Sequence, residues 1–390
     1  MRWSCSRAAS APASPVAGRT CDAVAVPIPQ QRDPELTRTR LGEWLATKLP
    51  DAIGLSISEL SGPAATGFSN DTLLFDATWT EAGTARTEGL VARIKPSGYQ
   101  IFPEIDVALQ HRVMKILGEH TDVPVPRMWW LEEDERVLGA PFFLMSRVDG
   151  DIPADNPPYT MGGWVFDARP DQRERLWWTG FEAMAKVHRL DWRALGFDFL
   201  DHPELGKRGL DQQLTYYERY LEWAARGKPQ PIAEAALDWV KTNRPSDEEP
   251  PALCWGDSRI SNQIFRDFEC VAVLDWEMVT LGNPEQDLGW WIFLDRHFTE
   301  GLGIDRPPGF PSYDATVARY QELTGHTVRH LDFYQVFAGL RFAVIMMRVA
   351  QMAIEYELMP PDSDMETNNI VTQLLAKMLG LPAPGPAIAP

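Results

Sequence analysis

Cysteine is scarce in this chain of 390 residues: there are four, Cys5, Cys21, Cys254 and Cys270. No two form a C-x-x-C pair, and Cys254 and Cys270 lie in apolar runs, where a thiol behaves as a small hydrophobe. That disfavours a disulfide scaffold and makes a reducing cytoplasm the expected compartment. Positive charge is short as well. Lys and Arg number 37 against 55 Asp and Glu, for a net charge of −18. Nucleic-acid-binding domains carry basic stripes, so no nucleic-acid partner is expected. No uninterrupted apolar run reaches the roughly 18 residues that suggest a membrane span. The nearest candidate, "FAGLRFAVIMMRVAQMAI", is broken by Arg341 and Arg348 and reads as a buried helix, so no membrane partner is expected either. There is no internal repeat. No G-x-x-x-x-G-K-[ST] sequence occurs, which disfavours a Walker-type nucleotidase.

What is present is a change of texture along the chain. The first 35 residues, rich in Ala, Pro, Ser and Arg, read as a disordered tail without the apolar stretch of a signal peptide. A helix begins near Pro34 in "PELTRTRLGEWLATKL". Strand-like pieces follow, "GLSISELSG", "SNDTLLFDATW" and "GLVARIKP", with "EAGTARTEG" as the turn between the last two. A helix over "EIDVALQHRVMKILGEH" buries Val107, Val113, Met114 and Leu117. Two further strands lie in "VPVPRMWWLEED" and "PFFLMSRVDG". Residues 36–147 thus form a small antiparallel sheet with one inserted helix. After a Pro- and Gly-rich connection, residues 148–382 are mainly helical, interrupted only by "ALCWG", "NQIFR" and "CVAVLDW". Residues 383–390 read as a second disordered tail. This is a two-lobed α+β layout.

The chemistry sits in those three short strands. Asp257 follows "ALCWG", Asn262 opens "NQIFR", a tight turn at "RDFE" reverses the chain, and "CVAVL" returns Asp275 beside Asn262. One hairpin would then carry two carboxylates and an amide at one end. Oxygen ligands suit a hard cation, and a further carboxylate is left as a base. Phosphoryl transfer from ATP uses that set, with the Asn five residues after the catalytic Asp. The plain alternative is three unrelated turn residues.

The stretch "CWGDSRISNQIFRDFECVAVLDWEMVTLGNPEQDLGW" resembles the aminoglycoside phosphotransferase family, which has the protein-kinase-like fold. It is similar to the branch whose kinase domains are fused to acyl-CoA dehydrogenases, over residues 40 to 380. The resemblance implies an ATP- and Mg²⁺-dependent kinase acting on a small-molecule hydroxyl. It implies Asp257 as catalytic base, Asn262 and Asp275 as Mg²⁺ ligands, and Arg259 as the cation facing the transferred phosphate. Asp287 would brace the catalytic loop. Where the family has His two residues before the Asp, this chain has Trp255.

The same resemblance places ATP under the first lobe. In "SGPAATGFSND", Gly67, Ser69 and Asn70 would line a phosphate loop, with an ordinary hairpin turn as the alternative. Arg93 of "LVARIKP" would take the place of the kinase lysine, with Lys95 as alternate and a solvated strand residue as the plain reading. Its partner on the following helix would be Gln110, one turn after Asp106, through an Arg–Gln hydrogen bond. Backbone from Met145 through Arg147 to Val148 would meet the adenine edge. His188 reads as a packing residue. His326 and His330, spaced i, i+4, would share a helix face without a third zinc ligand. The acidic stretch bearing Glu355, Glu357, Asp362 and Asp364 reads as a solvated loop, or as a site for substrate ammonium groups. Two other readings stay open. One is a nucleotide-binding pseudokinase, suggested by Trp255 and Gln110. The other is a metal-dependent hydrolase using the same carboxylates. Hydroxy acids or their CoA esters, sugars and amino alcohols are all possible acceptors.

Overall fold

The computed structural model describes residues 32–62, 71–247 and 250–387. Asp33 opens the first helix, α1 (Pro34–Lys48): its carboxylate accepts from Leu36 N and Pro34 stands at the first turn, where a missing N–H costs nothing. The expected N-terminal tail therefore ends before Pro34; its first 31 residues lie outside the described set.

Five strands follow, β1 (Ile53–Ile57), β2 (Asp71–Glu81), β3 (Thr84–Ile94), β4 (Met128–Glu132) and β5 (Phe142–Ser146). They form one antiparallel sheet in the order β1-β2-β3-β5-β4. The turn between β2 and β3 is far tighter than "EAGTARTEG" suggested. Glu81 pairs with Thr84, and only Ala82 and Gly83 turn, at φ 49° and 77°. Two successive positive φ values give a turn whose twist matches the flanking strands, so polar residues on either side stay in the ladder. Between β3 and β4 runs α2 (Val107–His120), capped by Asp106. Its buried face is Val107, Gln110, Val113, Met114 and Leu117, the apolar set expected plus one amide. A short α3 (Glu135–Leu138) joins β4 to β5.

The second lobe begins with α4 (Gly163–Asp167), α5 (Pro170–His188), α6 (Leu210–Ala225) and α7 (Pro231–Thr242). Four short strands come next: β6 (Ala252–Cys254), β7 (Gln263–Arg266), β8 (Glu269–Val273) and β9 (Thr280–Gly282). The chain ends in α8 (Glu285–His297), α9 (Tyr313–Thr324), α10 (Leu331–Glu355) and α11 (Ile370–Leu379). The expected hairpin forms, and a second two-stranded ribbon accompanies it. β7 pairs with β8, turning at Asp267 and Phe268, while β6 pairs with β9, which sequence pattern missed because three residues are too few to show alternation. α10 is the one described helix long and apolar enough to cross a membrane, and most of it is buried within the lobe. The C-terminal stretch is tied down rather than free as far as residue 387. The carbonyls of Gly385 and Pro386 each accept from Gln373 Nε2 at 3.1 Å.

α8 and α10 cross closely because Gly289 has no side chain. A Cβ there would stand 2.7 Å from the backbone carbonyl of Tyr334, closer than packed atoms tolerate. Gly289→Ala is expected to lower unfolding free energy by about 1–3 kcal/mol, measured as a shift in urea midpoint.

Candidate active site

Two turns of chain bring the predicted groups together. Asp257 leaves β6 through Gly256, whose φ is +97°. A Cβ at Gly256 would meet Met278 O at 2.1 Å, so only glycine lets the loop approach the turn that precedes β9. The loop is then fastened from below. Asp287, fully buried at the start of α8, accepts from Trp255 N at 2.6 Å and from Gly256 N at 3.0 Å. Charge-assisted bonds of this kind in a dry setting are strong. His188 Nε2 meets the same carboxylate at 3.0 Å, and its Nδ1 meets Tyr320 Oη at 2.7 Å. Ser258 Oγ donates to Asp287 O at 2.8 Å, and Arg341 donates to Gly256 O at 2.9 Å. Trp255 occupies the place of the family histidine. Its indole is fully buried and donates to Leu274 O at 2.8 Å, tying the catalytic loop directly to the residue before Asp275.

The Asp257 carboxylate is held at both oxygens. Trp290 Nε1 donates to Asp257 Oδ1 at 2.7 Å, and Asn262 Nδ2 donates to Asp257 Oδ2 at 2.7 Å. Asn262 lies in a 3-10 turn just before β7 rather than inside the strand. Leu274 N donates to its carbonyl at 2.8 Å, which sets Asn262 beside Asp275. Asp275 itself has φ 59°, a left-handed conformation that an Asp tolerates better than most residues. Arg93 reaches across from β3: one Nη lies 3.3 Å from Asp275 Oδ1 and the other donates to Thr72 Oγ1 at 3.1 Å. Burial is the main influence on Asp275 and pushes its carboxyl above the ordinary value. Arg93 pulls it down, and the nearby charge of Asp257 pushes it up again. Burial thus opposes the Asp275 charge more than the neighbouring arginines favour it. With the amide of Asn262 turned by its bond to Asp257, the oxygen donors fit a hard divalent cation such as Mg²⁺.

Other expected site residues are placed differently. Arg259 is already committed: its Nε lies 3.2 Å from Asp257 Oδ1 and its Nη1 pairs with Asp155. Burial opposes its charge, but the carboxylates of Asp155 and Asp257 outweigh burial and keep it protonated. Below it His297, pushed down to about 4 chiefly by burial, is neutral. The anticipated Arg93–Gln110 bond is not formed. Arg93 takes the Asp275 carboxylate instead, a stronger acceptor for a guanidinium than the oxygen of a neutral amide, and Gln110 is buried with Nε2 unpartnered. Lys95 lies one residue past the end of β3. Met145 is buried in β5, opposite Val91. The N–H of Arg147 is taken by Gly89 O at 2.7 Å, and its guanidinium pairs with Asp76 at 2.6 Å. An adenine edge would therefore have to use neighbouring backbone. Gly67, Ser69 and Asn70 lie outside the described residues.

His326 and His330 share no helix face, since both precede α10 in an extended segment. They meet Glu285 at 3.1 Å and Asp247 at 2.7 Å instead. His188, Cys254 and Asp287 also come together, their ligating atoms within 4.8 Å of one another, but His188 and Asp287 are spent on the loop and burial holds the Cys254 thiol protonated. In the acidic stretch, Asp364 accepts from Asn368 Nδ2 at 3.0 Å, a local turn contact. Sequence reading missed Trp290, though it ends the quoted "DLGW", and Asp155. No local pattern could couple Asp155 to Arg259, 104 positions away.

The raised Asp275 carboxyl has a definite sign. A carboxyl whose folded pKa exceeds its unfolded one favours folding while protonated, and that contribution is lost as pH rises through the folded value. Above that folded value the ionised Asp275 opposes folding in metal-free protein. Asp275→Asn is expected to raise the metal-free Tm by roughly 1–3 °C and to abolish stabilisation by added Mg²⁺; differential scanning fluorimetry with and without EDTA reads both.

Known proteins share this fold. A Ralstonia eutropha protein assigned to the aminoglycoside phosphotransferases matches with TM-score 0.60 and 23% identity, covering 87% of this chain and 96% of that one. The phosphotransferase APH(4)-Ia, solved with ADP and hygromycin B, matches with TM-score 0.51 and 13% identity, over 87% of this chain and 98% of its own. At such identities the likeness speaks for the kinase-like two-lobed fold alone. Among curated proteins, mouse acyl-CoA dehydrogenase family member 10 is 32% identical over 281 residues, which is 68% of this chain and 24% of that protein. Human acyl-CoA dehydrogenase family member 11 is 28% identical over 243 residues, 60% of this chain and 30% of that protein. The chain thus spans under a third of the length of these two relatives. The phosphotransferase enzyme family profile matches residues 63–331, more than half of the chain, and the chain belongs to that family.

Proposed function

We propose that the protein transfers the γ-phosphate of ATP to a hydroxyl of a small molecule, with Mg²⁺. The observation that carries this reading is the convergence on Asp257. One of its oxygens is held by Trp290 and the other by Asn262, at 2.7 Å each, which fixes the carboxylate for an incoming hydroxyl. Asp257 orients that hydroxyl and accepts its proton. Asn262 and Asp275 hold the divalent cation, which when bound offsets charge on the phosphate oxygens. Arg93, anchored by Thr72, adds positive charge from the first lobe. The phosphate-loop role stays with Gly67, Ser69 and Asn70 on their sequence alone. Arg259 serves chiefly to hold Asp257 and Asp155, and faces the phosphate only by loosening that pair. The protein supplies positioning and fixed electrostatics rather than covalent chemistry.

Trp255 argues for this reading over a pseudokinase. It keeps the loop tied to Leu274, so the loss of the family histidine leaves the catalytic Asp supported. ATP consumption over a panel of hydroxy acids and their esters, sugars and amino alcohols identifies the acceptor. On that acceptor, Asp257→Ala is expected to lower turnover by about 10²–10⁴ with Mg–ATP affinity retained. Undiminished turnover would refute the role of Asp257. Rapid phosphate release with no acceptor present would favour the hydrolase.

A further inference from the structure

One buried charge has no counterpart. Arg341, in the middle of α10, is 1% exposed. Its Nη2 donates to the neutral carbonyl of Gly256, while its Nε and Nη1 meet no acceptor. Among the described residues no carboxylate pairs with it. Arg173 and Arg348 are buried too, but every side-chain nitrogen of theirs is hydrogen-bonded. Taking a guanidinium out of water without a counter-charge is costly, and arginine does not shed its proton to escape that cost. A charge retained under such conditions calls for a role other than stability.

What Arg341 touches is the mount of Asp257. Its guanidinium lies over the Trp290 indole, 4.5 Å from the ring centre. Phe342, the next residue of α10, packs against the same indole at 5.7 Å. That indole is the donor to Asp257 Oδ1 at 2.7 Å, and Gly256, whose carbonyl Arg341 holds, directly precedes Asp257. A cation over an indole face is attracted by its π electrons and draws on them. The ring-edge N–H becomes a stronger donor, as groups in a dry setting polarise one another. We propose that Arg341 is a positioning residue for phosphoryl transfer, holding the Asp257 carboxylate through the Trp290 indole and the Gly256 carbonyl. This rests on the proposed role of Asp257 as the base.

Two readouts on the full chain separate a failure of this inference from a failure of the kinase reading. The first is the indole N–H resonance of Trp290 in protein with isotope-labelled tryptophan, assigned by its loss in Trp290→Phe; it needs neither ATP nor acceptor. Arg341→Met removes the charge and keeps bulk. It is expected to move that resonance upfield and to speed exchange of its proton with solvent. The second is turnover. Arg341→Met is expected to lower kcat about tenfold while the acceptor KM and the Mg–ATP affinity change by less than about twofold. Its urea midpoint is expected at or above that of the parent, since an unpaired buried charge has gone. Arg341→Gln keeps a donor for Gly256 O without the charge; it is expected to behave like the Met variant and serves if that one folds poorly. Arg341→Lys keeps a cation over the ring and is expected to recover at least about half of the parent kcat. An unmoved indole resonance, an unchanged kcat, or a Lys variant no faster than Gln would each overturn the proposal. So would a lowered urea midpoint with kcat intact, the mark of a purely structural residue. A parent chain that transfers no phosphate to any acceptor sinks the kinase reading, and the catalytic part of this proposal with it, while the indole resonance still decides whether Arg341 acts on the Asp257 mount.

Discussion

One buried carboxylate organises the catalytic half of this molecule. Asp287 sits at the start of α8 with no solvent contact and binds two consecutive backbone N–H groups, of Trp255 and Gly256. Those amides belong to the loop that turns out of β6 toward Asp257, and the left-handed Gly256 leaves them nowhere else to point. An ionised group in the interior persists only when its hydrogen bonds are made, and here His188 completes the set. The loop, α5 and α8 are thereby locked to one another. Asp257 inherits its position from a neighbour that never touches the reacting groups.

The lobes meet at a partly buried ion pair. Arg93 comes from the sheet lobe and Asp275 from the helical lobe, and their contact spans the two. With Asp257 close by, two carboxylates and the guanidiniums of Arg93 and Arg259 share one small volume, and burial outweighs Arg93 in setting the Asp275 carboxyl. The Trp255 indole and the Asn262 backbone both contact Leu274, so the residue before Asp275 is shared by both halves of the site.

Much of this was legible in the sequence because the informative residues are close together along the chain. The D-x-x-x-x-N spacing, the apolar run before Asp275 and the later Asp287 pointed to groups that the fold brings together. Apolar periodicity gave α2, and the apolar stretch broken by Arg341 and Arg348 marked α10 as a core helix. What could not be read depended on distance or on competition. Asp155 reaches Arg259 from a loop in a different part of the chain. Arg93 chose Asp275 over Gln110, a comparison of partners that no pattern of residue types ranks. The β2–β3 hairpin was misjudged because polar residues within a strand look like turn residues until the register is known. β9 was too short to carry a period at all.

The central claim is that Asn262 and Asp275 hold a divalent cation for a triphosphate that faces Asp257. A crystal structure with Mg²⁺ and a non-hydrolysable ATP analogue tests it most directly. The account predicts the cation bound by the Asn262 side-chain oxygen and the Asp275 carboxylate, with the terminal phosphate toward Asp257. A nucleotide bound outside the space between the lobes, or a cation that contacts neither residue, would contradict it.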